Sequence, residues 1–451
     1  MSDTICAIST SLGVAAISII RISGSDAIKI VNKVFNRKNL EKAESHTIHY
    51  GHIIDGDEII DEVLVSVMKA PKTFTREDVV EVNVHGGIAT TNRVLEVLLN
   101  NGCRLAEPGE FTKRAFLNGR IDLMEAEAVM DLINGKTEVA RKMALANLNG
   151  NGSKLIKNLR DELIKIISNI EVNIDYPEYN DIYEVTINDL KYKIANFKSS
   201  LNKIVKDYHD SKIIKDGINT VIVGKPNVGK SSLLNRLIDD NKAIVTDIPG
   251  TTRDIVEGSI SFNGFMMNFI DTAGIRETND VVEKMGVMKS LSKIDQADLI
   301  LVVLNNNEKL DDVDLEILDK TKNKTSIVVI NKDDLDGKIE MNYLNNRDVV
   351  YTNTIDTLGI DKLKNKISDM FNLEKIKQSD YNYISNVRQI SKIKECLSKI
   401  NDIEKGIEND LPLDMMEIDL RDIWNILGEI IGESYQEELL DELFSKFCVG
   451  K

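Results

Sequence analysis

The chain has 451 residues, too many for one ordinary domain, and about three domains are expected at this length. Hydrophobic residues make up 42% and charged residues 29% of it, a globular balance that excludes a wholly disordered chain. The formal net charge of −16 opposes broad, unspecific binding to nucleic acid or anionic membrane, while leaving room for a local basic patch.

The acid excess is uneven: residues 401–451 hold 14 Asp or Glu against 4 Lys or Arg. That tail reads equally as a solvated helical face or as a surface that selects a partner. Cys6, Cys103, Cys396 and Cys448 lie far apart, with neither zinc spacing nor a disulfide framework. No apolar run reaches the ~18 residues of a membrane span, and Met1 to Thr10 lacks a basic leader region. Together these features predict a cytoplasmic protein with no membrane attachment. Cys448 stands where a prenylated cysteine would, but Gly450 and Lys451 are poor fits to that signal.

Residues 1–118 mix short β-like runs with one helix. Ala15 to Ile22 and Ile59 to Met68 are rich in β-branched residues, and Asp78 to Val84 alternates as a half-buried strand does. Gly86-Gly87 breaks the pattern, and Ala89 to Leu99 reads as a helix, so this is an α+β domain. From 119 to 213 the period changes. Leu155, Leu159, Leu163, Ile166, Ile167 and Ile170 make one helical stripe, and Leu190, Ile194, Phe197, Leu201 and Ile204 another, with Pro177 between them. Residues 214–375 carry the motifs described next. From 376 to 451 helices return, with stripes at Val387, Ile390, Ile393, Leu397, Ile400 and Ile403 and at Leu420, Ile423, Trp424, Leu427 and Ile430. Neither helical segment has enough apolar surface to stand alone. The expected fold is therefore multidomain α/β plus α. An all-helical domain is built from the two flanking segments, with a doubly wound α/β domain of Ras-like type inserted between them.

Thr220 to Val223 is a short β-branched run leading into Gly224-Lys225-Pro226-Asn227-Val228-Gly229-Lys230-Ser231, after which Leu233 to Ile238 reads as a helix. Strand, glycine loop and helix are the context of a P-loop. Glycine lets the backbone curl around phosphate so that successive N–H groups face the oxygens, and the helix N-terminus adds positive potential. Asn227, Val228, Gly229, Lys230, Ser231 and Ser232 are the candidate phosphate contacts. Lys230 is expected to reach the β- and γ-phosphates and Ser231 to ligate Mg²⁺.

Two more signals follow in order. Met266 to Ile270 is an apolar strand ending in Asp271-Thr272-Ala273-Gly274, suited to holding Mg²⁺ through water and sensing the γ-phosphate. Ile327 to Ile330 is a buried-type strand ending in Asn331-Lys332-Asp333-Asp334. A carboxylate at Asp334 accepts two hydrogen bonds from guanine, whereas adenine offers no matching donor pair, so the implied ligand is GTP. Between them, Thr246-Asp247-Ile248-Pro249-Gly250-Thr251-Thr252-Arg253-Asp254 reads as the first switch loop.

The residue after Gly274, where Ras-like enzymes orient the attacking water with glutamine, is Ile275. Either hydrolysis is very slow or another group serves. The amide oxygen of Asn227 is placed to coordinate a monovalent cation beside the phosphates, which would stabilise transition-state charge. Glu283, downstream, is a candidate to orient water.

The whole chain resembles the MnmE (TrmE) family of tRNA modification GTPases. The resemblance is carried by IIRISG at 19–24, EDVVEVNVHGG at 77–87, EPGEFTKRAFLNGRIDLMEAEA at 107–128, GKPNVGKSSLLN at 224–235, TDIPGTTRD at 246–254, DTAGIRE at 271–277 and FCVGK at 447–451. The nucleotide motifs are widespread, but the PGEFT run and the terminal CVGK are specific. The resemblance implies a homodimer that, with an FAD-containing MnmG partner, adds an aminomethyl or carboxymethylaminomethyl group at carbon 5 of the tRNA wobble uridine. It implies a folate-binding, dimer-forming N-terminal domain in which Arg21, Glu81, Arg120 and Lys451 contact 5-formyl- or methylene-tetrahydrofolate. It further implies K⁺ held by the Asn227 side chain, the Thr246 and Ile248 carbonyls and Thr251, Mg²⁺ held by Ser231 and Thr252, and Glu283 positioning the water. Potassium and GTP would then drive two GTPase domains together.

For Cys448 a catalytic thiol near the folate and a small tail residue packing on helices remain equal readings. Two stretches depart from the family pattern: the family's P-x-G-x-G reads Ser11-Leu12-Gly13-Val14-Ala15, and its Ser-Ala base contact reads Asn353-Thr354. A ribosome-assembly or RNA-binding GTPase shares the same nucleotide motifs but predicts a basic module, such as a KH domain, that the acidic C-terminus does not offer. A membrane-remodelling GTPase would need a basic amphipathic or membrane-spanning segment.

Overall fold

A computed structural model describes residues 3–37, 39–175, 180–240, 258–270, 293–353, 358–377 and 384–450. The chain divides into two compact units. One comprises residues 1–130, 147–197 and 394–451, and the other residues 131–146 and 198–393.

The first unit contains a six-stranded sheet in the order β3-β4-β5-β2-β1-β6. Its strands are β1 (Ile5–Ile8), β2 (Ile17–Ser23), β3 (Thr47–Asp55), β4 (Glu58–Met68), β5 (Val79–His85) and β6 (Arg104–Leu105). All neighbours are antiparallel except β1 and β6. The predicted strands and the predicted helix, here Ile88–Asn100, are present. The expectation of a single helix in this region is corrected, because Ala27–Val34 and Glu110–Leu117 are also helical. The β-branched content of IKIVNKV hides a helical stripe in which Ala27, Ile30, Val31 and Val34 are buried.

One sheet face packs Ile20, Ile22, Val63, Val65, Val80 and Val82 against the helices Ala27–Val34 and Ile88–Asn100. Because side chains alternate, Arg21 and Glu81, cross-strand partners in the β2–β5 register, fall on the other face. The helical part of this unit joins the two flanking sequence segments: Asn151–Asp175 packs on Leu413–Ile431. Arg160 stacks over the Trp424 ring at 3.9 Å, donates to the Trp424 carbonyl at 3.2 Å and pairs with Glu433. Val387, expected on an apolar stripe, begins its helix 71% exposed, and the first buried residue of the stripe is Ile390.

The second unit holds a sheet ordered β12-β11-β10-β7-β9-β8, formed by β7 (Ile218–Val223), β8 (Ser259–Phe262), β9 (Phe265–Phe269), β10 (Leu299–Asn305), β11 (Ser326–Asn331) and β12 (Asp348–Thr352). It is parallel apart from the β8–β9 edge. Alternate residues of each central strand serve opposite cores. Ile222, Leu301, Val303, Ile327 and Val329 meet the helices Lys230–Asp240 and Leu358–Met370, while Val221, Val223, Val302, Leu304 and Val328 meet Asp312–Lys320. Burial on both faces explains why these strands read as unbroken apolar runs. Val139, Ala140, Met143 and Ile213, all within the predicted first helical segment, belong to the core of this unit. No helix of the described residues is long and apolar enough to cross a membrane.

Candidate functional site

In the second unit, β7 ends at Val223 and the helix Lys230–Asp240 begins seven residues later, with a glycine loop between them. The loop needs its unusual residues. Gly224 has φ 155° and Gly229 φ 99°, and Asn227, at φ 60°, occupies left-handed backbone that asparagine tolerates better than most side chains. A Cβ at Gly229 would lie 2.1 Å from Asn331 Nδ2, so only glycine lets the loop close on the end of β11.

Asn331 is buried. Its Nδ2 donates to the Val228 carbonyl at 2.9 Å, and its Oδ1 accepts from the Thr352 hydroxyl at 3.3 Å. Lys332 Nζ donates to the Asn227 carbonyl at 3.1 Å. Two motifs about a hundred residues apart are thus cross-braced, and Asp333 N–H, bonded to the Thr352 carbonyl at 3.2 Å, holds the turn that leads to the exposed Asp334. Asn227, Ser231 and Ser232 are exposed, and Val228 is buried beneath the loop. Lys230 Nζ donates to the carbonyls of Gly224 at 2.9 Å and Lys225 at 2.6 Å.

Lys225 is a feature that the motif alone did not reveal. Its ammonium contacts Asp314 at 2.7 Å and Asp311 at 3.0 Å. Asp311 and Asp314 form the capping box of the helix Asp312–Lys320, so Lys225 ties the loop to that helix. Burial works against the Lys225 charge, but the bonds to Asp314 and Asp311 outweigh it and hold the group above the ordinary lysine range. Burial pushes Asp314 up, against the pull of Lys225. Of the other predicted nucleotide and metal contacts, Thr246, Asp247, Ile248, Pro249, Gly250, Thr251, Thr252, Asp271, Thr272, Ala273, Gly274 and Glu283 lie outside the described residues, as does Thr354.

The second candidate site lies on the first unit's open sheet face. Arg21 Nε and Nη2 approach Glu81 Oε1 at 2.9 and 2.8 Å. Arg21 Nη1 donates to the Gly450 carbonyl at 3.1 Å, and the Ser9 hydroxyl donates to the same oxygen at 3.1 Å. Gly450 therefore sits beside the pair, while Lys451 lies outside the described residues. The Cys448 side chain is exposed, and its carbonyl accepts from the Gly109 N–H at 3.3 Å. Arg21 and Glu81 line a cavity of about 290 Å³ with Met68, Phe74, Val79, Thr112 and Val129. Arg120 is one cavity away, its guanidinium 4.9 Å from the Phe74 ring centroid.

Thr112 is fully buried and its hydroxyl has no hydrogen-bond partner among the described residues. An orphaned polar atom in a cavity wall suits a ligand that supplies the missing partner. Helix Glu110–Leu117, which carries Thr112, is pinned by Arg114, 1% exposed. Its guanidinium bonds the Asp3 carboxylate and Glu110 at 2.9 Å each and Glu77 at 3.2 Å. Sequence reading passed over Arg114 because a charged residue amid PGEFTKRAF looks like surface.

A parallel sheet whose first strand feeds a left-handed glycine loop, braced by an Asn-Lys-x-Asp strand end, defines a P-loop nucleotide-binding protein. Comparison with known proteins narrows the class. The description "MnmE helical domain" matches residues 123–448, and "GTP-binding protein TrmE N-terminus" matches residues 4–120. The chain is 50% identical over 450 residues to the tRNA modification GTPase MnmE of Streptococcus thermophilus, covering 100% of this chain and 98% of that one. It is 50% identical over 458 residues to the tRNA modification GTPase MnmE of Bacillus licheniformis, covering 100% of both. Among solved structures, the G domain of the T. maritima FeoB iron transporter aligns with 34% of this chain and 98% of its own, at 26% identity and a TM-score of 0.25. The chain belongs to the MnmE family of tRNA modification GTPases. It is a GTP hydrolase of that family, and GTP and Mg²⁺ are the ligands the family implies.

Proposed function

We propose that the chain is a potassium-dependent GTPase that, with an FAD-containing MnmG-type partner, adds an aminomethyl or carboxymethylaminomethyl group at carbon 5 of the tRNA wobble uridine, using a tetrahydrofolate one-carbon donor. The observation that carries this reading is the coexistence, in one chain, of a braced P-loop and a separate cavity lined by the Arg21–Glu81 pair, whose arginine also holds the Gly450 carbonyl of the C-terminal tail. A GTPase acting only as a timer needs the first and not the second.

In the nucleotide site, Lys230 exchanges its bonds to the Gly224 and Lys225 carbonyls for β- and γ-phosphate oxygens. Ser231 and Thr252 would hold Mg²⁺, which would supply charge neutralisation on the phosphates. Asp334 selects guanine, and Asn331 holds the loop in its binding form. The Asn227 side chain, the Thr246 and Ile248 carbonyls and Thr251 would hold K⁺, which would stabilise transition-state charge, and Glu283 would orient water. With Ile275 in place of a glutamine, those two groups are what hydrolysis depends on.

In the folate site the residues fit a pterin. Met68, Phe74, Val79 and Val129 offer flat apolar walls, Glu81 an acceptor for N–H groups, and Thr112 an unmatched hydroxyl. Arg21, Arg120 and Lys451 supply cations, and Cys448 is an exposed thiol near the same tail. Homodimerisation through the N-terminal domain is supported by exposed Ile17, Ile48, Tyr50 and Leu64 on the sheet strands. We assign residues 1–118 to folate binding and dimerisation, 119–213 and 376–451 to the helical domain, and 214–375 to the GTPase domain, and place the protein in the cytoplasm.

GTP hydrolysis measured in K⁺ and in Na⁺ tests the mechanism. Strong stimulation by K⁺, lost in Asn227→Ala and Glu283→Ala, is expected; equal rates in the two salts would rule the cation mechanism out.

A further inference from the structure

Beside the cavity of the Arg21–Glu81 pair is a larger one of about 460 Å³, whose wall includes His46, Met68, Lys72, Phe74, Arg76 and Arg120. Met68 and Phe74 line both cavities, so the two are neighbours along one wall. The second is cationic. Arg76 donates to the Asn118 carbonyl at 2.8 Å, and Arg120 to the Phe74 carbonyl at 3.4 Å. Those acceptors are neutral, and no carboxylate forms a salt bridge with Lys72, Arg76 or Arg120 among the described residues, the Glu125 carboxylate feeling the Arg120 charge only at longer range. By contrast, Arg93, Arg104, Arg141 and Arg421 each meet an acid. His46 and Arg76 also adopt left-handed backbone, φ 63° and 59°, which side chains other than glycine generally avoid unless the surroundings hold them there.

We infer that this second cavity receives an oligo-γ-glutamate tail, so that the folate taken by the site is polyglutamylated. The inference rests on the folate reading above and adds the class of substrate. A folate with one glutamate carries two carboxylates, and each further γ-linked residue adds one. Two guanidiniums and an ammonium around one cavity outnumber the two carboxylates of a single glutamate and match a longer tail. Guanidinium forks suit carboxylates because both oxygens accept together, while Lys72 contributes a mobile point charge.

The test is equilibrium binding of 5-formyl-tetrahydrofolate carrying one, three or five glutamates to the full chain, by calorimetry. Affinity rises about tenfold from the monoglutamate to the triglutamate, the size expected of a few partly exposed ion pairs. Lys72→Glu and Arg76→Asn erase that gain while leaving monoglutamate affinity within about twofold; asparagine tolerates the left-handed backbone at position 76. Circular dichroism checks that both variants are folded, and Lys72→Ala provides a milder change. Equal affinity for all three forms overturns the tail site and leaves the folate reading standing. Failure of every form to bind overturns the folate reading and this inference with it. If the variants keep the tail gain but lose tRNA affinity, the cations serve RNA and the inference is wrong.

Discussion

Asn331→Ala is the substitution that interrogates the nucleotide site most sharply. The residue is 1% exposed and joins two buried partners, the Val228 carbonyl and the Thr352 hydroxyl. Alanine deprives both of a hydrogen bond, at about 1–3 kcal/mol for each buried group left unpaired. A total of about 2–6 kcal/mol set against the binding form of the loop weakens GDP by roughly 30- to 20,000-fold, at about tenfold per 1.4 kcal/mol. Gly229→Ala attacks the same contact from the other side, because its Cβ would meet Asn331 Nδ2 at 2.1 Å and its φ of 99° disfavours any side chain. In the double variant the obstruction is gone and only the backbone strain remains. Its loss therefore falls short of the sum of the singles by about 1–2 kcal/mol. Titration with a fluorescent GDP analogue measures all four proteins. Asn331→Ala within threefold of the parent, or strict additivity in the cycle, would refute the cross-brace.

Arg160→Ala removes a stack on Trp424, a bond to its carbonyl and the pair with Glu433, and is expected to cost about 2–4 kcal/mol; urea unfolding followed by the fluorescence of the single tryptophan reads it directly. Thr112→Val replaces an orphaned hydroxyl with a methyl of equal size. Stability is expected to stay level or rise by about 1 kcal/mol, while folate affinity falls in calorimetry. His85 has its pKa raised above 6.5 by its hydrogen bond to Asp61, 2.7 Å away, so its contribution is full below that value and disappears as pH climbs through the folded pKa. The melting-temperature gap between the parent and His85→Asn is accordingly wider at pH 5.5 than at pH 8.5.

What the sequence discloses depends on how local the geometry is. The glycine loop, its strand and its helix are contiguous, so their residue types spell out their conformation. The strands Phe265–Phe269 and Ser326–Asn331 are buried on both faces and read as apolar runs. The bond from Lys225 to Asp311 spans 86 positions and leaves no local trace. Ala27–Val34 was hidden because its β-branched residues favour strands, and tertiary packing overrode that preference. Arg114 looked solvent-facing, yet three acids surround it in the interior. The meeting of the C-terminal tail with Arg21 runs through the Gly450 backbone carbonyl, an atom every residue has, so no pattern of side chains marks it.

The proposed action on the tRNA wobble uridine is measured most directly by mass spectrometry of wobble nucleosides from cells whose only copy carries Lys230→Ala. Loss of the aminomethyl-type modifications at carbon 5, with restoration by the parent gene, is the predicted result. An unchanged nucleoside profile would contradict the account.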